Sequence, residues 1–214
     1  MIIHDISLIL AEGMVTYPSD VPFQRTLQRN LIQGDSSNVS VITTSAHVGT
    51  HVDSPRHYIR DGYGVEQIPL ENLYGAVFVA DCRNAPCVTA DMLKDIVPSG
   101  TKRLLLKTDN SQLLHDNPTA PFHKNFVYLE ASGARFAVEQ GMTMVGIDYL
   151  SIDKSGLTTK DSHHILLENN ITIMEGIVLA EIAPGEYFLA CAPLKIAEAD
   201  GAPCRAVLIE GLRP

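Results

Sequence analysis

The chain has 214 residues, 45% of them hydrophobic and 19% charged. That is the balance of a folded globular protein with a core of its own, not of a disordered chain. A formal charge of −9 with no basic stripe argues against nucleic acid or an anionic membrane as a partner, and no apolar run approaches the ~18 residues of a bilayer span. The opening Met1-Ile2-Ile3-His4-Asp5-Ile6-Ser7 reads as a strand rather than a signal peptide. Cys82, Cys87, Cys191 and Cys204 show no paired spacing, so they are expected to be free thiols in a reducing, cytoplasmic compartment.

In chain order, strand-like runs rich in Val, Ile, Leu, Thr and aromatics fall at 4–10, 38–47, 76–81, 103–108, 143–148, 171–177, 187–193 and 205–210. Helical signals lie between them. Thr89 is placed to cap a helix over 90–93 with Asp91 in its first turn. Ser132 precedes a helix over 133–140 that ends at Gly141, and Asp161-Ser162 precedes one over 163–168. Strands and loops fill the first half, and helix and strand alternate in the second. The predicted fold is therefore α/β, one domain over 1–214, with a mixed sheet or barrel and flanking helices. Asp148 and Glu175 fall at the carboxyl ends of two strands, where such folds usually place chemistry.

Three histidines and an aspartate crowd into His47-Val48-Gly49-Thr50-His51-Val52-Asp53-Ser54-Pro55-Arg56-His57. In an extended strand His47, Gly49, His51 and Asp53 share a face, but at ~3.3 Å per residue the two histidine Cα atoms stand roughly 13 Å apart. For both imidazoles to meet one metal the chain must bend, and Gly49 is where a kink costs least. Asp53 supplies a negative charge and two oxygens, one of which could reach a second metal. Pro55 turns the chain and can bring His57 back over the site as a proton-transfer group. Spacing alone leaves a metal site and a structural polar cluster both open. A second group follows: His163 and His164 open a helix, and Glu175 shares a strand face with Ile171 and Ile173, where a carboxylate is costly unless paired or metal-bound.

These residues resemble the signature of the cyclase-type metal hydrolases, the family of bacterial kynurenine formamidases and isatin hydrolases. The likeness runs through Tyr17-Pro18-x-Asp20, Val145-Gly146-Ile147-Asp148 with Ser151 and Asp153, Ser162-His163, Ile173-Met174-Glu175-Gly176 and Pro203-x-Arg205-Ala206-Val207. It implies a swivelling β/β/α-type fold and a divalent metal site, two Zn²⁺ per chain with Mn²⁺ as an alternative. His47, His51 and Asp53 would hold the first ion, and Asp53, His163 and Glu175 the second. His57 would move protons, Tyr17 would contact the substrate, and His164 matches no ligand position. A small-molecule amide substrate and a homo-oligomer, dimer or tetramer, are implied as well. The chain departs from the formamidase pattern in placing Tyr17 where a tryptophan precedes the proline, and it contains no tryptophan at all.

The implied activity is hydrolysis of N-formylkynurenine to kynurenine and formate by metal-activated hydroxide. An isatin-type lactam hydrolase with the same centre is the alternative within enzymes. Outside them stands a non-catalytic domain with a structural metal, although such sites usually close with four protein ligands, often cysteines. No Gly-x-Ser-x-Gly elbow or P-loop is present, and Gly62-Tyr63-Gly64 is followed by Gln67 rather than glycine.

Overall fold

The structure, a computed structural model, describes residues 1–212. In chain order the elements are β1 (Ile2–Asp5), β2 (Gln24–Arg29), β3 (Val39–Thr43), β4 (His51–Asp53), α1 (Leu70–Leu73), β5 (Tyr74–Asp81), β6 (Cys87–Val88), α2 (Ala90–Ile96), β7 (Arg103–Lys107), α3 (Asn110–Asp116), β8 (Tyr128–Leu129), α4 (Ala131–Glu139), β9 (Met144–Ile147), α5 (Asp161–Glu168), β10 (Thr172–Glu175), β11 (Gly185–Pro193) and β12 (Gly201–Glu210).

Strands β12, β11, β5, β7, β9, β10 and β4 follow one another in hydrogen-bonded order, and β4 pairs back onto β12 to close a barrel. The run β5-β7-β9-β10 is parallel and the remaining pairings are antiparallel, so the sheet is mixed, as expected. β12 makes closure possible because it is long. Its first residues pair with β4 and its last with β1.

Both faces of the barrel wall are buried, which is why β7 and β9 read as near-continuous apolar runs. Alternation divides their side chains between two cores. Leu105, Met144, Met174, Val52, Leu189 and Leu208 fill the interior. Leu104, Leu106, Val145, Ile147 and Ile173 point outward against Leu93 of α2, Phe136 of α4 and Leu166 of α5.

Local signals held to different degrees. Thr89 caps α2, its hydroxyl accepting from the Met92 N–H at 3.4 Å. α4 starts earlier than Ser132 predicts, because the Glu130 carboxylate accepts from the Ser132 N–H and is the true cap. Gly141, with φ +63°, follows its end. The strand expected over 4–10 stops at Asp5, and the one expected over 38–47 stops at Thr43. The hairpin β2–β3 gave no warning on its first strand. Gln24–Arg29 is exposed throughout and so carries no core-facing period to detect.

Candidate metal centre

Between Thr43 and β4 the chain turns, and Gly49 sits at φ +58° with the Leu10 side chain where a Cβ would go. The kink expected at Gly49 is therefore present, and it releases His47 from the strand while His51 and Asp53 remain in it. β4 lies antiparallel to β10 with His51 directly opposite Glu175 and Asp53 opposite Ile173. Since Ile173 faces the helices, His51, Asp53 and Glu175 also project from the outer wall of the barrel, toward the start of α5. That start delivers His163.

The four side chains converge. Asp53 Oδ1 lies 2.9 Å from His47 Nδ1 and 3.4 Å from His51 Nε2, while Asp53 Oδ2 lies 3.5 Å from His163 Nε2. Glu175 divides in the same way, Oε2 at 3.4 Å from His51 Nε2 and Oε1 at 3.2 Å from His163 Nε2. Glu175 Oε1 also accepts from the Ile152 N–H at 2.6 Å. All of these groups are buried except the His47 ring, which is partly open.

Each imidazole is held from behind. His47 Nε2 meets Asp200 Oδ2 at 2.8 Å, His51 Nδ1 meets the Gly49 carbonyl at 3.0 Å, and His163 Nδ1 meets Asp153 Oδ2. Partners of this kind set tautomer and ring orientation in metal sites. The inward nitrogens are then directed at Asp53 and Glu175.

The donor set fits a divalent ion. His51 Nε2 and Asp53 Oδ2 are buried with no hydrogen-bond partner among the described residues, a costly state for two polar atoms. Their spacing to neighbours explains it. Donors ~2.1 Å from one ion in tetrahedral array stand about 3.4 Å apart, longer than a good hydrogen bond. Without a metal, burial by itself would lower the His51 imidazole, yet Asp53 and Glu175 push it up to about 10. Burial likewise opposes ionisation of Asp53, but His57, His47 and His163 together hold its carboxyl well below the usual range.

His57 stacks on His47 at 4.0 Å between ring centroids and lies against Tyr58. Its Nδ1 is 3.6 Å from Asp200 Oδ2. Burial lowers its pKa and the neighbouring His47 adds to the effect, against the pull of Asp53. Its surroundings thus favour the uncharged ring. It opens onto a cleft of about 120 Å³, whose walls include Tyr17, Asp20, Tyr58 and Lys160. A larger cavity of about 600 Å³, lined by Cys87, His123 and Tyr128 among others, contains none of the clustered residues.

All seven residues singled out in the sequence, Tyr17, His47, His51, Asp53, His57, His163 and Glu175, meet at this cluster and its cleft. His164 is exposed, one residue away on the helix. Asp148 proves to have a different task from the one its strand-end position suggested. Fully buried, it accepts from Thr108 N–H and O–H and from Ser111 N–H and O–H, bracing α3 against β9. Sequence reasoning missed the backing role of Asp200. The signal available was Gly201 beside it, where a Cβ would strike the His47 ring.

An α/β barrel bearing a buried histidine–carboxylate cluster that could hold a metal ion, under an open cleft, fits the class of metal-dependent hydrolases. A family model described as "Putative cyclase" matches residues 4–154. The kynurenine formamidase of Bacillus cereus is 33% identical over 204 residues, 95% of each chain. The chain belongs to the cyclase family. Among solved structures, a predicted metal-dependent hydrolase from Bacillus stearothermophilus is 28% identical with TM-score 0.82, covering 96% of this chain and 97% of its own. Isatin hydrolase A from Ralstonia solanacearum shares the fold at TM-score 0.82, with 22% identity and coverage of 97% and 92%.

Proposed function

We propose that this chain hydrolyses the amide bond of an N-formyl aryl amine, N-formylkynurenine foremost, to formate and the free amine. The observation that carries the reading is the orphaned ligand pair, His51 Nε2 and Asp53 Oδ2, beneath a cleft with an aromatic wall at Tyr17. The 33% identity to a kynurenine formamidase over nearly the whole chain supports the substrate.

His47, His51 and Asp53 Oδ1 would hold one ion, and Asp53 Oδ2, His163 and Glu175 a second. Both carboxylates divide their oxygens between His51 and His163, which supports two adjacent sites, and we assign the bridge to Asp53 because its Oδ1 also meets His47. Zinc suits these nitrogen and oxygen donors, and manganese is the alternative. Such an ion supplies a Lewis acid for the formyl oxygen and lowers the pKa of water to about 7. Tyr17 stacks the aryl ring, offering less area than a tryptophan would. With Asp200 facing its Nδ1, the neutral His57 ring would present Nε2 to the cleft, take a proton there from the attacking water and pass it to the departing amine nitrogen. Water adds across the bond as the C–N bond breaks, so formate and amine are the complete products.

Two variants test the assignment. His51→Ala is expected to lose metal and activity together, and His57→Ala to keep its metal while kcat falls about 10²- to 10⁴-fold. Near wild-type turnover in either would defeat it. The shared fold favours isatin-type lactam opening as a second reading, and assaying isatin beside N-formylkynurenine separates the two. A purely structural metal is disfavoured by His57, which lies beside the ligands facing the cleft.

We read residues 1–214 as one catalytic unit. β10, β11 and β12 lie beyond the family-model match, yet they close the barrel and bring Glu175. A homo-oligomer is supported by apolar side chains on and beside the β2–β3 hairpin, Leu27, Ile32, Val41 and Ile42, which are exposed in the single chain; sedimentation velocity reads this directly. A cytoplasmic location is supported by four unpaired cysteines, and no helix among the described residues is long and apolar enough to cross a membrane.

A further inference from the structure

The cleft over the candidate metal centre has one lysine or arginine among its described lining residues, Lys160. The residue is half-buried just ahead of α5, and its ammonium stands 5.8 Å from the centroid of the Tyr17 ring. Among the described residues that ammonium has no carboxylate within ion-pair distance and donates no hydrogen bond. A cation resting on an aromatic face is stabilised only modestly by the ring. Three hydrogen-bond donors therefore remain for an incoming group. Asp20, also in the lining, lies within the field of His47 and His51, half-buried and without a side-chain partner among the described residues.

The geometry points to Lys160 as the specificity-determining residue of this site, binding the carboxylate of an aryl formamide whose ring stacks on Tyr17. The inference rests on the formamidase reading and sharpens it, since the preferred substrate then carries an amino-acid tail. The Lys160 ammonium stands beside the Tyr17 ring in the lining of the cleft, so a flexible tail on an aryl ring held there can reach the cation. A neutral lactam such as isatin offers it carbonyl oxygens but no negative charge.

The test compares N-formylkynurenine with its descarboxy counterpart, which keeps the formamide, ketone and amine and lacks only the carboxylate. In the metal-loaded wild type the carboxylate-bearing substrate is expected to have a KM at least about tenfold lower. Lys160→Met should raise that KM about tenfold or more with kcat changed less than twofold, the mark of lost uniform binding. The preference between the two substrates then disappears, and Lys160→Arg should restore most of it. Lys154→Met, whose ammonium lies over Tyr128 outside this cleft, controls for a general loss of charge. An equal fall for both substrates in Lys160→Met, or an unchanged preference, overturns the inference while leaving the formamidase reading intact. Calorimetric binding of kynurenine separates the opposite case. If neither formamide is hydrolysed, the formamidase reading falls, and kynurenine binding about tenfold weaker in Lys160→Met still upholds the carboxylate contact. Equal binding overturns it.

Discussion

Gly49 and Gly176 show how much of this centre depends on residues that coordinate nothing. The Gly49 carbonyl accepts from His51 Nδ1, and Gly49 itself takes a left-handed conformation that other residues adopt at a cost. Gly176, at φ +68°, packs so closely that a Cβ would overlap the Gly49 carbonyl. Gly176→Ala should therefore displace the group that orients His51. Metal affinity, measured by competition with a chelating dye, is expected to fall about 10- to 100-fold, the scale for losing an outer partner of a ligand. Unchanged affinity would sink this account. The kink at Gly49 was legible in the sequence, because strand geometry forbids the two imidazoles from meeting without it. The role of Gly176 was not, because its neighbour lies more than a hundred residues away.

Elements position the chemistry by register. β4 is only three residues long, yet its pairing with β10 sets Glu175 opposite His51, and its pairing with β12 leads back through Gly201 to Asp200. Asp148 does comparable work for α3. Its two oxygens receive four hydrogen bonds from Thr108 and Ser111, while burial pushes the carboxyl up to about 6. Asp148→Ala would leave two buried backbone N–H donors and two hydroxyl donors without an acceptor and is expected to cost more than about 3 kcal/mol in denaturant unfolding. Asp148→Asn keeps one acceptor and should cost less than half as much. The pH dependence follows from the sign of the shift. With a folded-state value above the unfolded 3.8, the contribution is largest below pH ~4 and is lost as pH rises through about 6. The stability of wild type relative to Asp148→Asn should therefore decline across that interval, and a rising difference would contradict it. Strand-end position made Asp148 and Glu175 look alike. What separates them is whether hydroxyls and N–H groups or imidazoles face the carboxylate.

At the scale of the molecule, the barrel brings three imidazoles and two carboxylates into a small volume, a cluster that could hold a metal ion. In the metal-free chain the raised His51 value means that its proton is bound more tightly folded than unfolded. That contribution is fully present below the unfolded pKa of about 6.5 and is lost as pH rises through about 10. Metal must displace this proton, so uptake should release protons and strengthen with pH. Removing metal with a chelator is expected to lower the melting temperature, and the gap between loaded and stripped protein should widen from pH 6 to pH 9. A gap that narrows over this range would count against the ligand assignment.

What the sequence by itself determined is the inventory: which residues could donate to a metal, where the strand had to bend, and which runs favoured strands. Those properties belong to single residues or to a few neighbours, so local chemistry suffices to read them. Convergence was decided only by the tertiary structure. Asp200 backs His47 across 153 positions and Asn72 reaches Thr172 across 100, contacts that exist because β12 and β10 close one barrel. No short window encodes such a meeting, since the free energy that enforces it is the burial of both faces of a whole sheet.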